Sequence, residues 1–340
     1  MRESQPLHTH PLLNKASQSI LEKRIWHMEG MMFHKILVPL DGSALAERAL
    51  EPALRLAQDN QSELLLLSIP FAKHLFVEDP IGYKVISPET SIETTRAELS
   101  AYLHRLIETR TPSEAVLYSR IRYGDEASVI VDTAVTEEID LIVMSTHGFT
   151  GLSRWFLGSV TEKVLRSAPC PVLVIRDNKP VSHVLITLDG SQLSEQALAP
   201  GFALAHCYDA DVTLLRVKQD EILDPNLVTE LEAYEQGLGN RAKDDFNFRS
   251  DHYLAQLAEQ YRHLSRKSVQ TIAVTGPVAA EILEAIEAEA IDVVVMSTHG
   301  RTGLRRWVYG SVTEKVMRQA TCSMLITRPP TEALRVDDSI

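Results

Sequence analysis

The chain is poor in cysteine, with Cys170, Cys207 and Cys322 the only ones among 340 residues. An odd number at wide spacing builds neither a disulfide framework nor a zinc site, so buried, reduced thiols are expected. Positive charge is also short: 34 Lys and Arg stand against 46 Asp and Glu, giving a net charge of -12 and a pI near 5.5. A phosphate polymer would meet overall repulsion, which argues against a nucleic-acid partner but leaves room for one small anion in a locally basic loop. No apolar run approaches the roughly 20 residues that span a bilayer. The first residues lack a basic segment followed by an apolar core and a small-residue cleavage site. A cytoplasmic protein without a membrane partner is therefore the expectation. Two familiar phosphate signatures are missing too, G-x-x-x-x-G-K-[ST] and G-x-G-x-x-G. Without the P-loop lysine, fast phosphoryl transfer by that route is unsupported.

What is present is a repeat. HKILVPLDGSALAERAL from His34 matches SHVLITLDGSQLSEQAL from Ser182. MSTHGFTGLSRWFLGSVTEKVLRSAPCPVLVIR from Met144 matches MSTHGRTGLRRWVYGSVTEKVMRQATCSMLITR from Met296, with about two-thirds of positions identical. The halves align end to end, which indicates a duplicated domain rather than a solenoid of short units. The expected organisation is a flexible tail over 1–32, one domain over 33–176, a linker at 177–181, a second domain over 182–328 and a C-terminal tail over 329–340. A hydrophobic content of 44% is ample for two cores.

Within one unit, KILVPL (35–40), SELLLLSI (62–69), AVLYSRIRY (115–123), IDLIVMS (139–145) and CPVLVIR (170–176) read as strands buried on both faces. Between them lie helical patterns, one N-capped by Ser43 and one by Asp125. Residues 70–88 read as a long loop, and Gly237 and Gly239 interrupt the helical pattern across 218–267. In the second half Gly276-Pro277 opens a helix, with Pro in the first turn. Alternating β and α predicts an α/β fold: two tandem doubly wound parallel sheets with helices on both faces. Ligands of such sheets bind beyond the strand C-termini, where strand order reverses.

Both repeated segments follow strand C-termini. Gly148 and Gly300 sit just past a strand, and Gly158-Ser159 and Gly310-Ser311 precede a helix. Glycine permits close approach of backbone to a ligand, and first-turn amides favour an anion. Such a loop has the parts to wrap a di- or triphosphate, helped by Ser159, Ser311 and nearby Arg154, Lys163, Arg301, Arg305, Arg306 and Lys315. The plainer reading makes the glycines strand ends and helix caps. Asp41 and Asp189 are candidates either for nucleoside contact or for turn capping. His147 and His299 invite a reading as bases, but no Ser or Cys nucleophile pairs with them in sequence, so hydrogen bonding is the simpler role. Trp155 and Trp307 read as loop anchors.

Two units, each carrying V-P-L-D-G-S or I-T-L-D-G-S and then M-S-T-H-G-x-T-G-L…G-S-V-T-E-K-V, resemble the universal stress protein family in tandem form. The resemblance implies a five-stranded sheet in order 3-2-1-4-5, like that of the adenine-nucleotide alpha hydrolases. It implies ATP in the strand crevice, with Mg2+ held by the phosphates, and a stress-response regulator with at most slow hydrolysis. An interaction module of the same fold without nucleotide is the alternative. By the family pattern Gly148, Gly158, Ser159 and Val160 would meet phosphates in the first half, and Gly300, Gly310, Ser311 and Val312 in the second. Asp41 and Asp189 would sit against the nucleoside with Pro39 and Thr187 beside them, and the backbone of Ile69 and Val217 would read the adenine edge. Ser145 and Ser297 stand where the family motif has its first glycine. The family also implies dimers through the fifth strand, which a tandem chain could satisfy internally by pairing 171–176 with 323–328.

Overall fold

The computed structural model describes residues 33–70, 76–78, 84–86, 89–110, 116–146, 157–177, 179–218, 225–235, 238–298 and 310–328. In the first half β1 (Lys35–Leu40), β2 (Glu63–Ser68), β5 (Val116–Ile121), β6 (Leu141–Ser145) and β7 (Val172–Ile175) lie side by side. Between β2 and β5 a short antiparallel hairpin, β3 (Phe76–Glu78) and β4 (Lys84–Ile86), stands where the sequence reads as loop. Three residues per strand are too few for a period-2 pattern to register. The second half supplies β8 (His183–Leu188), β9 (Asp211–Lys218), β10 (Val269–Thr275), β11 (Val293–Ser297) and β12 (Ser323–Thr327).

The ten main strands form one sheet in the order β10-β9-β8-β11-β12-β7-β6-β1-β2-β5. Each half thus has the order 3-2-1-4-5, all parallel. The halves meet where β12 pairs antiparallel with β7, Leu325 opposite Leu173. This is the edge pairing implied by the family resemblance, made within one chain, and it covers two edges that would otherwise template association.

The apolar runs dictate this burial. Leu64, Leu65, Leu66 and Leu67 of β2 are all fully buried, because successive side chains of a covered parallel strand enter opposite cores. One core gathers Leu64, Leu66, Val184 and Leu214 with α1 (Leu50–Asn60) and α5 (Leu198–Tyr208). The other gathers Leu65, Leu67, Leu185 and Leu215 with α3 (Glu126–Thr136), α4 (Ser159–Ser167), α8 (Val278–Ala288) and α9 (Ser311–Gln319). α2 (Glu89–Arg110), α6 (Pro225–Tyr234) and α7 (Leu238–Tyr261) are the remaining helices of more than one turn among the described residues. α6 ends at Tyr234 and α7 begins at Leu238, so Gly239 stands in the first turn of α7 and the helical pattern is interrupted where the sequence suggests. Asp125 caps α3 through the Ser128 amide, as expected, whereas Pro277 is itself the cap of α8 rather than a first-turn residue.

The halves also reach across to each other. Arg176, at the end of β7, donates to the Met317 carbonyl in the last turn of α9, and Arg328, beyond β12, donates to the Leu165 carbonyl of α4. A guanidinium at a helix C-terminus satisfies an orphan carbonyl and favours the dipole. On the opposite face Arg55 of α1 stacks on Tyr208 at 5.2 Å and donates to its carbonyl at 3.3 Å.

Candidate functional site

Each half ends β1 or β8 in an Asp-Gly-Ser turn. Gly42 has φ +81 and Gly190 φ +85, left-handed values that glycine adopts without strain. The Asp41 carboxylate accepts from the Ser43 amide at 2.9 Å, and Asp189 accepts from the Ser191 amide at the same distance. Ser43 Oγ then accepts from the Ala46 amide, and Ser191 Oγ from the Ser194 amide, each at 3.1 Å. The two aspartates are thus turn residues, and their turns hold them at the strand C-termini. Pro39 and Thr187 are half-buried in β1 and β8, two positions before each aspartate.

β1 neighbours β6 and β8 neighbours β11, so the crevice at the reversal of strand order lies beside each aspartate. Ser145 ends β6 and Ser297 ends β11. From there the chain passes to the last helix of the unit, and both ends of that passage are fastened. The Gly158 amide donates back to the Thr146 carbonyl at 2.7 Å, and the Gly310 amide to the Thr298 carbonyl at 2.9 Å. Thr161 Oγ1 donates to the Ser145 carbonyl and Thr313 Oγ1 to the Ser297 carbonyl, both at 3.1 Å. Sequence reasoning overlooked these threonines. Their signal was the retained Thr of S-V-T-E-K-V, in the first turn of a helix, where a hydroxyl can reach back to a nearby carbonyl.

Gly158 and Gly310 are extended N-caps of α4 and α9 and provide no side-chain cap. The amides of Ser159, Val160 and Thr161 have no acceptor among the described residues, and neither do those of Ser311, Val312 and Thr313. These are the orphan donors of a helix start, at the positive end of its dipole. Glycine's own amide is consumed, so the donors begin one residue later than Gly158 and Gly310. Ile69 follows β2 and is buried, while Val217 lies within β9 and is half-buried. Gly148, Gly300, His147, His299, Trp155, Trp307, Arg154, Arg301, Arg305 and Arg306 lie outside the described residues. Lys163 pairs with Asp125 at 3.4 Å on an exposed surface, and Lys315 holds the matching position on α9.

A second shared feature was not visible in sequence. Tyr102 of α2 donates to Glu47 at 3.0 Å, and Tyr253 of α7 donates to Glu195 at 3.0 Å. Burial first, then the adjoining glutamate, pushes the Tyr102 phenol far above its ordinary range; the same two influences act on Tyr253. Both stay neutral donors at pH 7. Asp41 lies near enough to Tyr102, and Asp189 to Tyr253, to add to the effect. Burial also pushes the three cysteine thiols up to about 12, which leaves them inert as nucleophiles. Among the described residues no group of three or more His, Cys, Asp or Glu could hold a metal ion. No helix among them is long and apolar enough to cross a membrane.

Comparison with known proteins agrees with this architecture. The model of the universal stress protein family matches residues 32–176 and again 180–328. Universal stress protein YxiE of Bacillus subtilis is 32% identical over 152 residues, covering 43% of this chain and 100% of that protein. A universal stress protein of Mycolicibacterium smegmatis is 26% identical over 302 residues, covering 86% of this chain and 97% of that one. Among solved structures, a functionally unknown protein of Pseudomonas aeruginosa PAO1 superposes with a TM-score of 0.65 at 18% identity, over 88% of this chain and 94% of that one. A universal stress protein of Archaeoglobus fulgidus gives 0.58 at 18% identity, over 87% and 98%. With the family pattern matched twice along most of its length, the chain belongs to the universal stress protein family, in tandem form.

Proposed function

We propose that the chain is a stress-response regulator that binds ATP or a related adenine nucleotide in the crevice between the first and fourth strands of a unit, with at most slow hydrolysis. The observation that carries this is the set of three consecutive amides at the start of α4, Ser159 to Thr161, without an acceptor among the described residues. They stand at a helix dipole's positive end, beside a strand-order reversal. A polyphosphate supplies the anion such a site favours, and the Ser159 hydroxyl adds a donor. Asp41, fixed by its turn, stands where a ribose or base would lie, with Pro39 beside it. Ile69 offers backbone at the edge of that space. A Mg2+ accompanying the nucleotide would be carried by the phosphates, since the donors assembled here are amides and hydroxyls suited to anions. The loop glycine Gly148, and Gly300 in the second unit, would let backbone close over the phosphates. The units so proposed are residues 33–176 and 182–328.

A regulator is favoured over a fast enzyme because the P-loop lysine is missing from the sequence, and the acid in the first turn of α4, Glu162, is paired with Arg166 at 2.6 Å. Equilibrium dialysis of nucleotide-stripped protein against labelled ATP tests the reading: saturable binding below millimolar concentration is expected, and no binding up to that concentration refutes it. An interaction module without nucleotide is favoured by Ser145 and Ser297, whose side chains stand where the family motif has glycine. Protein purified from cells with adenine nucleotide bound would exclude it.

A further inference from the structure

The two Asp-Gly-Ser turns have the same backbone and different company. Ser68 ends β2 as the cross-strand partner of Leu40, immediately before Asp41. Arg216 holds the same register in β9, opposite Leu188 and immediately before Asp189. A Cβ placed on Gly42 would meet nothing within 4 Å among the described residues, whereas one on Gly190 would meet the Arg216 guanidinium at 3.0 Å. That guanidinium also lies over the Tyr253 ring, 4.9 Å from its centre, a cation–π contact that holds it in place. Ser68 is buried, and its hydroxyl has no hydrogen-bond partner among the described residues. A buried hydroxyl left without a partner is costly unless something supplies one.

Resting on the nucleotide reading above, we propose that the first unit alone takes the nucleoside: Arg216 fills in the second unit the space over the turn that Ser68 leaves open in the first. Arg216 and Ser68 are then the residues that decide which unit binds. In the first unit the exposed space over Gly42 receives the base or ribose, because the short Ser68 side chain stays buried and does not reach into it. In the second unit the arginine, held between Tyr253 and the turn, is an internal occupant. The phosphate cradle of α9 survives the duplication without a nucleoside pocket to serve it.

The test is stoichiometry, read by isothermal titration of the full nucleotide-stripped chain with ATP, together with photolabelling of the wild-type chain by 8-azido-ATP and peptide mapping. One equivalent per chain is expected for the wild type, two for Arg216→Ser, and label confined to peptides of residues 33–176. Ser68→Arg should abolish binding; because that substitution enters a buried position, the wild-type label map stands as an independent readout. Two equivalents in the wild type, one that persists unchanged in Arg216→Ser, one that survives in folded Ser68→Arg, or label in the second unit overturns the inference and leaves the nucleotide reading intact. Absence of binding in both the wild type and Arg216→Ser overturns that reading itself.

Discussion

The floors of the two halves are built alike, both fully buried even where Leu65 corresponds to Thr213, and the mouths are not. Leu66 and Leu214 occupy equivalent strand positions and both are fully buried in the same core. Two residues further along each strand the equivalence breaks: Ser68 on one side, Arg216 on the other. The cap of the third helix breaks it again, with Asp125 in the first half and Pro277 in the second. Packing constrains a side chain by volume on every side, so duplicated cores drift slowly. A strand end that opens on a crevice is constrained only by what enters it. The difference at these strand C-termini is therefore information about ligand, whereas the sameness of Leu66 and Leu214 is information about fold.

The comparison can be broken or sharpened by paired substitutions. The largest effect is expected in the shared floor: Leu66→Ala and Leu214→Ala should each cost about 2–5 kcal/mol in urea unfolding, by similar amounts. A cost confined to one half would show that the cores are not equivalent. Next is the helix start. Proline at the first helical position keeps a helix but removes one amide, and the residue before it must be extended; Gly158 and Gly310 already are, at ψ 148 and 144. Ser159→Pro should weaken ATP binding by about 10- to 100-fold, the worth of one hydrogen bond to a charged group at about 1.5–3 kcal/mol. Ser159→Ala separates out the hydroxyl. Ser311→Pro should leave ATP affinity unchanged, and an equal loss there would contradict the assignment of binding to the first unit.

A smaller effect follows from the caps. Hydrogen bonds from Ser128 hold the Asp125 carboxyl below its ordinary value. A carboxyl lowered in the folded state adds stability above its unfolded pKa and loses it as pH falls through the folded one. Asp125→Ala should therefore cost about 1 kcal/mol at neutral pH, with the difference from wild type fading in acid. Pro277 carries no titrating side chain, so its replacement by Ala should show no such pH dependence; thermal melts across pH would decide. The smallest effect concerns backbone strain. Glu138 and Ala290 both follow a helix with positive φ, at +54 and +49. Ala290→Gly and Glu138→Gly should each raise stability by about 1 kcal/mol, seen as an upward shift in melting temperature.

Much of this was legible in the sequence because it is local. The apolar runs, the Asp-Gly-Ser turns, the Asp125 cap and the Gly-Ser pairs before the last helices each carry their own signal within a few residues. The internal edge pairing could be anticipated only from the family resemblance and the repeat. The Tyr102–Glu47 and Tyr253–Glu195 pairs were not legible, since each joins residues more than 50 positions apart through the fold. Arg216 stands in the run DVTLLRV as one more strand residue. Its meaning depends on which side of the sheet it faces and on the glycine across from it. Gly237 and Gly239 suggested an interruption of the helical pattern, and the structure has one there: α6 ends at Tyr234 and α7 begins at Leu238, with Gly239 in its first turn. That the Gly158 and Gly310 amides bond back to the strand ends was not legible, because each bond is a tertiary contact.

The most direct test of the central claim is an amide-resolved NMR titration of the full chain with ATP. Saturable shifts of the Ser159, Val160 and Thr161 amide resonances, without matching shifts at Ser311, Val312 and Thr313, are the predicted result. Resonances of Ser159 to Thr161 that stay in place at millimolar ATP would contradict the account.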